Sequence, residues 1–360
     1  ILNLKDPKDI AILRALEEEM SDMVLEYGGA MSAEHGDGLA RSEWIPKMFG
    51  DHIANLFEEV KGVFDPQGTM NPGKIVNAPR MDENLRYGEH YETRSLETFF
   101  SFDEEGGFQE ATELCSGVGQ CRKKLVGTMC PSYMATLDEE HSTRGRANAL
   151  RAALSGTMSG GLLSEKVHEV MDLCLECKAC KAECPSNVDM AKLKYEYLAH
   201  YHREHGYPLR SYLFAYIGLF ARFGSALAPV SNWIAGSGPS RWVLDRFLGI
   251  DRRRTLPRFV AQPFSKWFNK RVSTSETQKG QVVLYNDTFA EYEEPQIAMA
   301  ATVLLERAGY EVVLVENKVC CGRPMISKGF LEQARDNARQ NIEALLPYAE
   351  KGIPIIGIEP

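Results

Sequence analysis

The sequence predicts a multidomain chain of mixed α/β and mainly-α class. It should comprise an α+β piece, a helical, cysteine-bearing middle and part of a doubly wound α/β unit. Three observations predict this. The 360 residues exceed what one hydrophobic core usually holds. Seven of the nine cysteines fall between positions 115 and 184. Beyond residue 281, short apolar runs alternate with helical-period segments, the pattern of parallel strands joined by helices.

Residues 1–78 begin with a helix over Pro7–Tyr27, with Ile10, Leu13, Leu16 and Met20 at helical spacing. Glu34-His35-Gly36-Asp37-Gly38 is a polar, glycine-bounded turn, with Arg41 just beyond it. A second helix covers Pro46–Phe64 and stops at Phe64-Asp65-Pro66. Asn71-Pro72-Gly73-Lys74 then makes a tight turn into Ile75-Val76. Residues 79–110 are polar and read as an extended connector.

Residues 111–205 read as short helices, one of them Asp138–Leu154, ended by Gly156. Residues 206–272 are aromatic and amphipathic (Phe214, Phe220, Phe223, Trp233, Trp242, Phe247) and include the basic cluster Arg252–Arg254. The expectation here is a helical linking layer whose Phe and Trp faces are buried against the cysteine-bearing domain. The alternative is a membrane-surface or partner-docking patch. Residues 281–360 give a strand at Val282–Tyr285, a helix at Pro295–Ala308, a strand at Val312–Val315, a helix at Lys328–Tyr348 and a strand at Ile353–Ile358.

Composition narrows the function classes. A net charge of −9 leaves no basic footprint for nucleic acid. Nine cysteines without a signal peptide point to a reducing cytoplasm rather than a disulfide scaffold. The longest apolar run, Ser211–Ala221, is too short to span a bilayer, so any membrane association should be peripheral, on the inner face. The chain opens on Ile1 and stops at Pro360, directly after an apolar run; it reads as an excerpt of a longer polypeptide.

The cysteine spacing carries the chemistry. Cys174-x2-Cys177-x2-Cys180-x3-Cys184-Pro185 is the ligand run of a bacterial-type iron–sulfur cluster, in which the fourth thiolate serves a second cluster. Zinc sites more often show two separated cysteine pairs; a zinc knuckle and a disulfide cluster are the bland readings. Upstream, Cys115 and Cys121 are spaced as first and third ligands around Val118, which cannot ligate, and Cys130-Pro131 plays the fourth. Crossing the partners gives Cys130, Cys174, Cys177 and Cys180 as a four-thiolate set. Cys115, Cys121 and Cys184 make a set of three. The latter suits [3Fe–4S], or [4Fe–4S] with a non-cysteine ligand such as His141 or Glu113. The bland reading leaves Cys115 and Cys121 as buried spectators.

Three stretches together resemble known families. Glu34-His35-Gly36-Asp37-Gly38 with Phe64-Asp65-Pro66 and Asn71-Pro72-Gly73-Lys74 is similar to the C-terminal end of FAD-linked oxidases, among them D-2-hydroxyacid dehydrogenases. The cysteine groups with Met129-Cys130-Pro131 and His141-Ser142-Thr143-Arg144-Gly145-Arg146 look like the helical, ferredoxin-like two-cluster module fused to such flavoproteins. Cys320-Cys321-Gly322-Arg323-Pro324 looks like half of the cysteine-rich "CCG" domain of heterodisulfide-reductase-like proteins. A further cysteine of that pattern is missing after the first strand; either Asp287 replaces it or the site has lapsed.

The resemblance implies oxidation of a D-2-hydroxy acid by FAD, of D-lactate, D-2-hydroxyglutarate or glycolate type. Electrons would leave through the two clusters to an acceptor, a quinone or a soluble carrier. It implies His35 as the base for the substrate hydroxyl and Glu34 as ligand of a divalent metal such as zinc. Asn71, Gly73 and Lys74 would lie near FAD, and Cys320 and Cys321 would bind a metal or cluster. The FAD-binding glycine loops of such proteins have no counterpart here. The alternatives are a non-enzymatic iron–sulfur electron-transfer subunit and a zinc-binding interaction module.

Overall fold

The structure, a computed structural model, describes residues 2–88, 90–272 and 279–358. Ile1 and Pro360, on which the excerpt reading rests, lie outside the described residues. The chain forms two compact units, residues 1–93 and 94–360.

In the first unit, α1 (Pro7–Glu26) is capped by the Asp6 carboxylate, which accepts from the Lys8 amide. The short α2 (Gly38–Arg41) leads through a 3-10 turn into α3 (Ile45–Phe64), which kinks at Gly50. Arg14 of α1 forks onto Glu43 at 2.6 and 3.2 Å and also reaches Asp82 at 3.1 Å. Glu43 accepts from the Met81 amide as well, so one ion network ties α1, the 3-10 turn and the residue-80 stretch. The sequence read this piece as α+β. Among the described residues of 1–93 there is no strand: Ile75-Val76 continues as turn and bend, its chain direction set by positive φ at Asn71, Ile75 and Asn77.

In the second unit, α4 (Phe108–Glu113), α5 (Pro131–Thr136), α6 (Thr143–Leu154), α7 (Glu165–Asp172), α8 (Ala179–Glu183) and α9 (Met190–His205) surround one core. Leu150, Val167, Met171, Leu193 and Tyr197 are fully enclosed there, together with Cys115, Cys121, Cys130 and Cys180. Burying each large apolar side chain stabilises the fold by about 1.5–3 kcal/mol. The expected Asp138–Leu154 helix starts later, at Thr143, because Ser142 caps it by accepting from the Gly145 amide. The connector is not uniformly extended and free: Glu196 of α9, wholly buried, accepts from the amides of Phe99 and Phe100 at 2.9 and 3.1 Å.

Next come α10 (Leu209–Ala215), α11 (Ile217–Ala226), α12 (Val230–Gly236), α13 (Gly238–Leu248) and α14 (Phe264–Lys270). These are helices, as expected, but they do not bury their aromatic faces: Phe220, Phe223, Trp233, Trp242 and Phe247 are exposed. The sequence periodicity gives the apolar face of each helix. It does not say that the inward face is filled by small residues.

The last segment alternates β1 (Gln281–Tyr285), α15 (Thr288–Tyr292), α16 (Pro295–Arg307), β2 (Glu311–Leu314), α17 (Arg323–Ile326), α18 (Leu331–Ala349) and β3 (Ile355–Gly357). The sheet is parallel in the order β2-β1-β3, with Val283 opposite Val313 and Ile355. The central β1 is buried on both faces, which fits its apolar run.

Asp65 ends α3 and organises the turn after it. It accepts from the amides of Thr69 and Met70 and from Lys61 Nζ. The Lys61 ammonium first, then the Met70 and Thr69 amides, draw its carboxyl down to about 2. A group whose folded pKa lies below its unfolded value of about 3.9 stabilises the fold above that value and loses the contribution as pH falls. Asp65→Asn should therefore lower the melting temperature at neutral pH. The gap to wild type should close as pH falls from about 4 to about 2. A gap that stays constant through that window in thermal melts would remove the role.

Candidate iron–sulfur centre and the Glu34–Gly38 loop

Cys130, Cys174, Cys177 and Cys180 line one open cavity, with Ser132, Thr143, Arg146 and Met190 among its walls. Cys130 arrives from the N-cap of α5, Cys180 from α8, and Cys174 and Cys177 from the loop between α7 and α8. That loop turns through left-handed backbone at Glu176 and Lys178. Lys194 of α9, itself buried, pins it by donating to the carbonyls of Asp172 at 3.0 Å and Cys174 at 2.8 Å and by pairing with Glu176 at 3.3 Å.

The electrostatics of the cavity centre on Arg146, which is completely buried. Its guanidinium donates to the carbonyls of Val170 and His141 at 3.0 and 2.7 Å, to Ser132 Oγ at 3.0 Å and to Cys130 Sγ at 3.6 Å. None of these partners is a carboxylate. A buried cation is costly unless compensated by negative charge; a set of thiolates around a metal centre supplies that. Burial pushes the Cys130 thiol up, but the Ser132 hydroxyl and the Arg146 charge more than offset it and the net shift is downward. Burial raises Cys174 and takes Cys180 to about 11. A bound metal ion reverses this, since a coordinated thiol is deprotonated. Soft donors converging on one cavity beside a buried cation fit an iron–sulfur cluster.

The second set is assembled less completely. Cys115 and Cys121 are buried in the same core and Cys184 packs against it. Burial raises the Cys121 thiol even though its sulfur accepts from the Arg144 amide at 3.4 Å. Ser116 and Ser186 hydroxyls meet at 2.9 Å, joining the loops that carry Cys115 and Cys184. Val118 is exposed. Glu113 ends α4, two residues before Cys115. His141 instead gathers with Asp138 and Glu140, their ligand atoms all within 4.8 Å of one another; its carbonyl faces Arg146 and Ser132.

In the first unit, His35 and Glu34 are 85% and 83% exposed, with Nε2 3.5 Å from Oε1. The Asn71–Lys74 turn is closed by Lys74 Nζ donating to Asn71 Oδ1 at 2.6 Å. Ser42 links the two motifs: its hydroxyl donates to the Gly38 carbonyl and accepts from the Ile75 amide. Gly73 and Lys74 are thereby held beside the end of the Glu34–Gly38 loop. Arg41 is half-buried at the end of α2.

Cys320 and Cys321 lie in the loop after β2, on the side of the sheet where the carboxyl ends of its strands open, the usual place for a site in such folds. The Cys321 side chain, the Gly322 amide, the Thr288 hydroxyl and Lys318 together draw the Cys320 thiol down to about 6 against burial. Asp287 is committed to capping α15, accepting from the amides of Phe289 and Ala290.

Sequence reading gave Arg146 only as part of the motif after Cys130, with no role, and missed Lys194 and Glu183. Glu183 accepts from Thr128 N and Oγ1 and from Met129 N, clamping the loop that delivers Cys130. Each is a single charged residue in an amphipathic stretch, with no local signal that it points inward.

Three family models match in chain order. The FAD linked oxidases C-terminal domain covers residues 1–75, the 4Fe-4S dicluster domain 114–189 and the Cysteine-rich domain 285–359. The chain thus joins the C-terminal domain of an FAD-linked oxidase to an iron–sulfur dicluster domain and a cysteine-rich domain. Relatives similar over all of it include the D-2-hydroxyglutarate dehydrogenases of Pseudomonas putida, 27% identical over 402 residues, and Escherichia coli, 25% over 403. It spans 40% and 39% of their respective lengths. A component of the anaerobic glycerol-3-phosphate dehydrogenase of Escherichia coli is 32% identical over 149 residues, 41% of this chain and 38% of that protein. No solved structure matches the chain.

Two outcomes follow for the reconstituted chain. With the crossed ligand sets, Cys177→Ser should remove one cluster's paramagnetic signal and lower the iron content. Val118→Cys should change the spectrum and lower the potential of the other. Iron and sulfide unchanged in the first, or spectrum and potential unchanged in the second, would break the pairing. Arg146→Met removes a positive charge beside one set only, so it should lower that cluster's potential or its occupancy and spare the other. Equal effects on both clusters in redox titration would refute the placement of Arg146.

Proposed function

We propose that this chain is the proton-handling and electron-conducting portion of an FAD-linked D-2-hydroxy acid dehydrogenase, with a substrate of D-2-hydroxyglutarate, D-lactate or glycolate type. The observation that carries the reading is the cavity that gathers Cys130, Cys174, Cys177 and Cys180 around the buried Arg146. It lies in a chain whose N-terminal unit matches an FAD-linked oxidase. When bound, FAD would supply the acceptor for hydride from the substrate's α-carbon, and the clusters would supply one-electron carriers toward an acceptor, a quinone or a soluble carrier.

On this reading, Cys130, Cys174, Cys177 and Cys180 hold a [4Fe–4S] cluster. Cys115, Cys121 and Cys184 hold a second cluster, [3Fe–4S] or [4Fe–4S]. Cys320 and Cys321 are half of a further site. His35 accepts the substrate hydroxyl proton at Nε2, an imidazole being matched to proton transfer near neutral pH. Glu34 holds a divalent metal such as zinc that acidifies that hydroxyl. The exposure of both side chains and the tether through Ser42 support the loop as a substrate-facing element. The domain limits that go with this are 1–78, the connector 79–110, 111–205, 206–272 and 281–360.

The test is anaerobic turnover of the full-length protein on a panel of D-2-hydroxy acids with an artificial acceptor. His35→Ala should cut turnover by about two to four orders of magnitude, the usual contribution of a general base, with a smaller effect on KM. Glu34→Ala should lose activity together with a divalent metal. Full activity in His35→Ala would place the base elsewhere.

A further inference from the structure

Helix α11 is turned inside out, and α12 and α13 bury no residue while exposing large apolar ones. In α11 the inward residues are Ala221, Gly224 and Ser225, while Leu219, Phe220, Phe223 and Leu227 are exposed along one stripe. The cause is close packing. A Cβ on Gly224 would come within 2.4 Å of the Phe259 ring, so nothing larger fits inward. Polar groups also turn inward: Ser225 donates to the Val260 carbonyl, and Asn232 exchanges two hydrogen bonds with the Phe259 backbone. On α12, Val230, Trp233 and Ile234 are exposed, Trp233 to 75%; on α13, Trp242, Val243 and Phe247 are exposed. A surface helix normally does the reverse, and large exposed apolar patches mark interaction sites.

The charge of this region is equally unusual. Residues 208–258 hold eight arginines and two aspartates and no lysine or glutamate, in a chain of net charge −9. Both aspartates are answered within the region, Asp251 by Arg253 at 2.5 Å and Asp245 by Arg252 at 3.9 Å. Arg222 and Arg246 are exposed on α11 and α13 themselves, and Arg254 and Arg258 in the following loop. No helix among the described residues is long and apolar enough to cross a membrane. Basic residues beside exposed Trp, Phe and Leu, on helices too short to span, are the makeup of an element that lies in a bilayer interface.

We propose that α11–α13 are a peripheral docking surface for anionic lipid. Phe220, Phe223, Trp233 and Trp242 enter the headgroup region, and Arg222, Arg246 and Arg254 meet lipid phosphates. The inference stands apart from the proposed reaction, since it uses none of the cysteines and neither His35 nor Glu34.

The experiment is density-gradient flotation of the iron-loaded 360-residue chain. The vesicles are phosphatidylcholine alone or phosphatidylcholine with phosphatidylglycerol, each at low and moderate salt. Co-flotation is expected with phosphatidylglycerol only, weakened by salt, with a blue shift of tryptophan emission. Phe223→Ser with Trp233→Ser should reduce the vesicle-bound fraction about tenfold or more. So should Arg222→Glu, Arg246→Glu and Arg254→Glu together, because each basic residue near an anionic surface contributes about 1 kcal/mol. Unchanged iron content shows that the variants fold. Three results would overturn the proposal: no flotation with anionic vesicles, flotation indifferent to both sets of variants, or concentration-dependent dimerisation, lost in the same variants, in place of vesicle binding. Loss of flotation with full iron content would leave the redox reading untouched.

Discussion

The cysteine-bearing domain depends on one buried positive charge. Arg146 reaches four groups at once: the Val170 carbonyl in α7, the His141 carbonyl in the 3-10 turn Glu139–His141, the Ser132 hydroxyl in α5, and the Cys130 sulfur. A guanidinium presents its donors in a fixed fork, so these partners must converge on one geometry. Neutral carbonyls and a hydroxyl satisfy its hydrogen bonds but do not neutralise it. The missing negative charge belongs beside Cys130, where an anionic metal–thiolate assembly would sit. The hydrogen-bonding frame therefore positions the site, and the site in turn relieves the frame of an uncompensated charge.

The frame must also bring together residues far apart in sequence. Cys130 meets a loop that starts 44 positions later, and closing such a loop carries an entropic cost that grows slowly with its length. Glu183, adjacent to Cys184, clamps Thr128 and Met129 ahead of Cys130. Ser186, just past Cys184, meets Ser116, just past Cys115. Both ties run between the upstream and downstream cysteine groups, the direction in which ligands would be exchanged between two clusters. Metal binding adds its own free energy to the same closure.

What could be read from the sequence was whatever repeats locally. Cysteine spacing and the Cys-Pro step singled out Cys130, Cys174, Cys177 and Cys180, which line one cavity. The switch from strand to helix periods gave β1, α16, β2, α18 and β3 within a few residues. Information that depends on tertiary direction was not there to read. Arg146 and Lys194 look like surface charges in amphipathic helices until the fold turns them inward. Phe223 and Trp233 look like core residues until Gly224 and Phe259 fill the interior first. The first unit, expected as α+β, has no strand among its described residues, and at Ile75-Val76 the backbone is bent, with positive φ at Ile75 and Asn77.

The placement of Cys320 follows from the same reasoning about packed backbone. Gly329, a few residues after the Cys320-Cys321 pair, lies against α9 so closely that a Cβ there would fall 2.8 Å from the Leu198 carbonyl carbon. Tyr207 seals the contact by donating to the Gly329 carbonyl and stacking on Phe330 at 3.9 Å. Helix α9 is also the element whose Lys194 fixes the Cys174 loop. Helix α9 thus contacts both the loop that carries Cys174 and the segment that follows Cys320 and Cys321, and close-packed interiors deform little. Asp287 Oδ1 caps α15. The Cys320 side rests on Cys320 and Cys321 with the charge of Lys318, and Cys320 packs on α11 so closely that a Cβ on Gly218 would come 3.3 Å from its own.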